Sequence, residues 1–141
     1  MEFNLSEEQN LLIDTTKSFV KAELLQHEEL LEKTNNLPKE LYDEIKQKSI
    51  KAGLYACNMP TEHGGGGLNA FDLTLVEKHL GFASLALAEI SWRPQNILMA
   101  CEGELIDEYL IAITETKGTI HTYHPGRGEI VKMSKANARA R

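Results

Sequence analysis

The sequence predicts an all-α fold of about five helices. Three observations carry this. Apolar residues recur at helical spacing through most of the chain. Capping and breaking residues stand where such helices should start and stop. No convincing strand-type alternation occurs before the C-terminal stretch.

The first helix starts at Ser6-Glu7-Glu8-Gln9, a capping box in which the Ser6 hydroxyl accepts from the Gln9 amide while Gln9 reaches back. Leu12, Ile13, Phe19, Val20, Leu24 and Leu31 then share one side, and the helix is expected to run to about Lys33. Asn35-Asn36 breaks it. Leu37-Pro38 restarts it, with Pro38 suited to a first helical position. In the second helix Leu41, Tyr42 and Ile45 should face the core, and Gly53 is a natural C-terminal cap. Residues Leu54 to Leu68 read as a loop. Asn69 caps a third helix, Asp72 complements its dipole, and Phe71, Leu75, Val76 and Leu80 mark its expected buried stripe. Gly81 ends or bends it.

The fourth segment, Ser84 to Cys101, is apolar on most sides, as in a helix buried inside a larger protein. Pro94 removes an amide donor and should kink or break it. The fifth helix, Glu104 to about Ile113, places Leu105, Ile106, Tyr109, Leu110 and Ile113 at i, i+3, i+4 spacing.

The 141 residues suit one domain. No apolar run is long enough for a membrane span. The N-terminus is acidic and has no basic region of a secretory signal. The two cysteines, Cys57 and Cys101, lie far apart, so a reduced, cytoplasmic chain with both thiols buried as small hydrophobes is expected.

The net charge of −6 conceals an asymmetry. Residues 127–141 carry Arg127, Lys132, Lys135, Arg139 and Arg141 against Glu129, a local +4, leaving −10 for residues 1–126. The acidic body argues against nucleic acid as a partner. The basic end reads as a solvated tail.

Chemical motifs are sparse. Gly64 to Gly67 invite a phosphate-loop reading. However, no Gly-Lys-Ser/Thr follows and the Gly-x-Gly-x-x-Gly spacing is absent, so a tight inter-helix loop is the simpler reading. His63 has no second His or Cys at metal spacing, and His121 and His124 lie in the tail, so no metal site is expected. The carboxylate pairs Glu7-Glu8 and Glu28-Glu29 fall on helix faces expected to be exposed.

Read in order, the segments resemble a known family. Phe3 to Gln9 (Phe-x-Leu-Ser-Glu-Glu-Gln) is followed by Leu37 to Tyr42 and by Ala52-Gly53-Leu54. Met59-Pro60-Thr61-Glu62-His63-Gly64-Gly65-Gly66-Gly67-Leu68 comes next. Leu75-Val76-Glu77, Ala83 to Leu87 and Asp107 to Leu110 complete the series. This order resembles the N-terminal helical domain of acyl-CoA dehydrogenases over about residues 2–112.

The resemblance implies an orthogonal helical bundle within a flavoenzyme that also has a middle β-domain and a C-terminal helical bundle. In the family, a glutamate of the C-terminal bundle removes the α-proton of an acyl-CoA and the β-hydride passes to FAD. The resemblance therefore implies FAD as cofactor and acyl-CoA as partner, but assigns no catalytic, cofactor-binding or metal residue to this chain. Its fourth helix would contribute wall to the acyl pocket, which makes Leu85, Leu87, Ile90, Trp92 and Asn96 the candidate pocket residues.

The chain also departs from the family. Thr116 stands where the middle domain's opening Thr-Glu-Pro-Gly motif has Pro, and Trp92-Arg93-Pro94 is unusual for the fourth helix. The expected division is a helical domain over 1–112 and an irregular basic tail over 113–141. The expected function is that of a truncated dehydrogenase, inactive alone, whose partner is a second copy or the missing domains. The alternatives are a non-enzymatic helical module pairing with a separately encoded chain, and the N-terminal part of a flavin monooxygenase of the same fold.

Overall fold

The computed structural model describes residues 4–91 and 94–114. The candidate Trp92, residues 115–141 of the predicted tail 113–141, and with them His121 and His124, lie outside the described residues, whereas residues 113 and 114, expected to be irregular, end the last helix with their side chains buried. Among the described residues the structure is helical and has no strand.

The first helical rod is a succession of windings. α1 spans Glu7–Phe19 and starts with the expected reciprocal capping box between Ser6 and Gln9. A π turn, Val20–Leu24, and a 3₁₀ turn, Leu25–His27, then lead into α2, Glu28–Thr34. In the π turn the Leu25 amide donates to the Val20 carbonyl. This winding leaves Val20 and Leu24 buried while Leu25 faces outward, 42% exposed. The sequence reading expected one uninterrupted helix here, because apolar spacing cannot distinguish an inserted π turn from a straight rod.

α3 spans Lys39–Lys51, with Pro38 at its N-cap, one position before the site expected for it. Ile45 is buried, and Leu41 and Tyr42 pack against the same core. Gly53 follows with φ +72°, the left-handed conformation that lets the chain leave the helix. α4 spans Ala70–Leu80, where the Asn69 side chain accepts from the amides of Phe71 and Asp72. Phe71, expected in the buried stripe, is 53% exposed. At about 100° per residue, Phe71 stands about 140° from Val76 and about 180° from Leu80, the residues that enter the core.

α5 is short, Leu85–Ser91, and a 3₁₀ turn spans Asn96–Ala100. The predicted fourth segment is therefore two pieces with Pro94 between them, as the missing proline donor requires. The last helix is π-wound over Ile106–Ile111 and closes on α6, Ala112–Thr114. Leu110 and Ile113 are buried, but Leu105, expected on the same face, is 47% exposed.

Among the described residues, buried apolar side chains form two clusters. The main core joins Phe19, Val20, Leu24, Ile45, Leu54, Val76, Leu80, Leu87 and Ile90. A second joins Ala56, Met59, Leu98, Leu110 and Ile113, with Cys101 and Tyr109 partly buried against it. Cys57 is buried as expected, whereas Cys101 is only half-buried, because it closes the 3₁₀ turn at the edge of this second cluster.

Polar ties fix the helix pairs. Gln9 donates to Asp72 at 2.8 Å across the α1–α4 seam. Lys48 on α3 pairs with Glu23 of the π turn and with Glu44, each at 2.7 Å. Glu28 is not a simple solvated charge. Its carboxylate accepts from the Ser84 amide at 2.6 Å and so caps the start of α5 from a distance.

Candidate functional site

The glycine loop is built by close approach of the chain to itself. Gly65 donates to the Pro60 carbonyl at 2.9 Å, Gly66 to Ala56 at 3.0 Å, Gly67 to Met59 at 2.8 Å, and Leu68 to Cys57 at 2.8 Å. A Cβ on Gly65 would lie 2.2 Å from the Met59 oxygen, and one on Gly66 would lie 2.8 Å from the Cys57 Cα. Glycine is required there because the two arms of the loop touch. Ala56 pays for this closure with a left-handed φ of 56°, while its carbonyl accepts from both Met59 and Gly66.

These hydrogen bonds answer the phosphate-loop question. An anion cradle needs backbone N–H groups pointing at the ligand. The amides of Gly64 to Leu68 are all engaged by carbonyls of residues 56–61. This loop therefore offers no cradle for the phosphates of FAD. No group of three or more potential metal-ligating side chains occurs among the described residues.

The loop positions the segment that carries the candidate pocket residues. Asn58 is buried, and its Nδ2 donates to the Pro94 carbonyl at 3.0 Å and to Asn96 Oδ1 at 2.9 Å. The Pro94 carbonyl can only accept, which fixes the orientation of the Asn58 amide and leaves its Oδ1 buried without a partner. Ser49 on α3 donates to the Ser91 carbonyl at 3.2 Å. Thr114 donates to the His63 carbonyl and so ties the last helix to the loop.

The candidates are distributed as follows. Leu87 and Ile90 sit together in the main core, with exposures of 0% and 3%. Leu85 points outward at 61%. Asn96 opens the 3₁₀ turn and is held by Asn58. Large exposed apolar side chains recur through this region: Phe82, Leu85, Ile97, Met99 and Leu105.

A groove of about 680 Å³ lies elsewhere, between the first rod and α3. Leu11, Thr15, Ser18, Ala22, Lys51 and Ala52 are among its lining residues. The sequence reading did not point to it, although small residues at 15, 18 and 22 form a helical stripe that could have done so. Asn58 was also missed. Its signal is a lone amide inside the otherwise largely apolar run Leu54 to Met59.

Burial shifts the acidities of a neighbouring pair, Lys46 and Tyr55. Lys46 lies over the Tyr55 ring, 4.8 Å from its centroid, and burial lowers the pKa of its ammonium. Burial likewise pushes the Tyr55 phenol up to about 12.

Comparison with known proteins places this architecture. The chain is similar to the probable acyl-CoA dehydrogenase YngJ of Bacillus subtilis (strain 168), with 29% identity over 83 residues. That alignment covers 59% of this chain but only 21% of the relative. No solved structure gives a significant match. The sequence model for the acyl-CoA dehydrogenase N-terminal domain matches residues 6–114, from the capping serine to the threonine that anchors the last helix. The chain therefore belongs to the acyl-CoA dehydrogenase N-terminal domain family.

Proposed function

We propose that this chain supplies the N-terminal helical part of an FAD-dependent dehydrogenase that oxidises acyl-CoA thioesters between the α- and β-carbons. The observation that carries the reading is the family match over residues 6–114, continuous through all five helical segments. The role of these residues is wall and packing surface. Leu85, Leu87, Ile90, Trp92 and Asn96 are the pocket-wall candidates on the fourth segment. The exposed apolar side chains of Phe82, Leu85, Ile97, Met99 and Leu105 favour a further domain, or a second copy, packed over that region.

The chain alone is inactive under this reading. Proton removal from the thioester needs a base held against the substrate, and hydride transfer needs the flavin oriented there. FAD, when bound, supplies the hydride acceptor. The glycine-loop amides of this chain are already engaged and do not hold its phosphates.

Two preparations test this. The purified chain should retain no flavin and should reduce no electron acceptor with acyl-CoA; a yellow, active chain overturns its inactivity alone. Residues 6–114 grafted into the Bacillus relative in place of the matching segment should give an FAD-loaded protein that reduces an acceptor with acyl-CoA. A folded, FAD-loaded chimera without that reaction overturns the dehydrogenase reading.

A further inference from the structure

We propose that the α1–α4 seam ends in a pH-sensitive clasp, in which protonation of the buried His79 imidazole releases the turn from Gly81 to Ser84 that leads into α5. This is independent of the dehydrogenase reading.

His79 sits in the last turn of α4 and is nine-tenths buried. Its ring stacks on Phe82, with centroids 6.1 Å apart and planes 18° from parallel. Phe82 is 70% exposed and stacks on this ring, while Ala83 of the same turn is buried in the main core and its amide donates to the Leu80 carbonyl at 3.0 Å. The Nδ1 atom of His79 is buried and has no hydrogen-bond partner. A neutral ring tolerates this, because the proton can reside on Nε2 and leave a lone pair at Nδ1. The imidazolium cannot, since it carries a donor at both nitrogens.

Two of the neighbouring charges act in the same direction, and one acts against them. Lys17 and Asp14 face the ring from α1, and Lys78 flanks it on α4. Glu28 of α2 holds the far end of the turn through the Ser84 amide. Burial, then the two ammonium groups, hold the His79 pKa below the usual 6.5, and Asp14 opposes them. A detached ring takes up its proton at the usual value before the clasped ring does. The clasp is therefore fully stabilising above that value and weakens as pH falls below it. The turn runs directly into Ser84, whose carbonyl accepts from Leu87 and Ala88 at the start of α5. Acid should thus loosen the front of α5.

Hydrogen exchange of residues 81–91 in the full chain tests this, corrected for intrinsic rates, at pH 7.5 and pH 5.5. Protection should fall by up to about tenfold on acidification. His79→Gln should abolish the fall, and Glu28→Gln should keep it. A proton NMR titration of the His79 ring supplies the second measurement, readable in the wild-type chain even where His79→Gln does not fold. The ring should titrate below 6.5, and Lys17→Gln should move it upward. A ring that titrates at or above 6.5, or an unchanged acid response in His79→Gln, overturns the proposal.

Discussion

Replacing Gly65 with alanine would put a methyl carbon 2.2 Å from the Met59 carbonyl oxygen and 2.4 Å from its carbonyl carbon. Ordinary carbon–oxygen contacts lie at about 3.3–3.6 Å, so the loop must open by about 1 Å. The Met59 oxygen is also the acceptor for Gly67 at 2.8 Å, and Gly65 itself donates to Pro60 at 2.9 Å. An opening of that size carries at least one of these bonds past hydrogen-bonding distance. Losing one or two at about 1–3 kcal/mol each sets the expected destabilisation at about 1–6 kcal/mol. Urea unfolding followed by helical circular dichroism measures it. Two alanine controls separate close approach from backbone conformation. Gly53 has φ +72° and nothing within 4 Å, so Gly53→Ala should cost only about 1 kcal/mol. Gly81 has φ −65°, and alanine there should be near neutral. If Gly65→Ala proves no more costly than Gly53→Ala, the two arms of the loop do not touch as described.

Substitutions at four further positions can be checked by the same unfolding measurement. Asn58→Ala should cost about 1–3 kcal/mol by orphaning the buried Pro94 carbonyl. Asn58→Asp should cost more at neutral pH, because a carboxylate meets that carbonyl with no donor. Leu87→Ala should cost about 2–5 kcal/mol through a core cavity, whereas Leu85→Ala should stay within about 0.5 kcal/mol. Thr114→Val should cost about 1 kcal/mol by removing the hydroxyl that the His63 carbonyl accepts from.

The features legible in the sequence were those a few neighbouring residues decide. Ser6 with Gln9, and Asn69 with the next turn, form caps because the partners lie two or three residues away. Gly53 takes a positive φ where a helix must end. Pro94 divides the fourth segment through its own missing donor. The order of these local signals was enough for the family resemblance, which the match over residues 6–114 bears out.

Other features depended on which surfaces meet. Phe71 and Leu105 are apolar at plausible spacing, yet both face outward, because the direction of a neighbouring helix, not hydrophobicity, selects the buried stripe. Glu28 looks like a solvent charge until the start of α5 is brought to it from 56 residues away. Asn58 has no local partner, and its hydrogen bonds to Pro94 and Asn96 exist only once the loop has closed. The sequence by itself determined the all-helical class, the caps at Ser6 and Asn69, and the family. Only the tertiary structure decided that the glycine-loop amides bind their own carbonyls rather than an anion, and that the His79 Nδ1 is sealed without a hydrogen-bond partner. The physical reason is range: caps and φ preferences act within a turn of helix, whereas burial and hydrogen-bond satisfaction depend on atoms supplied from distant parts of the chain.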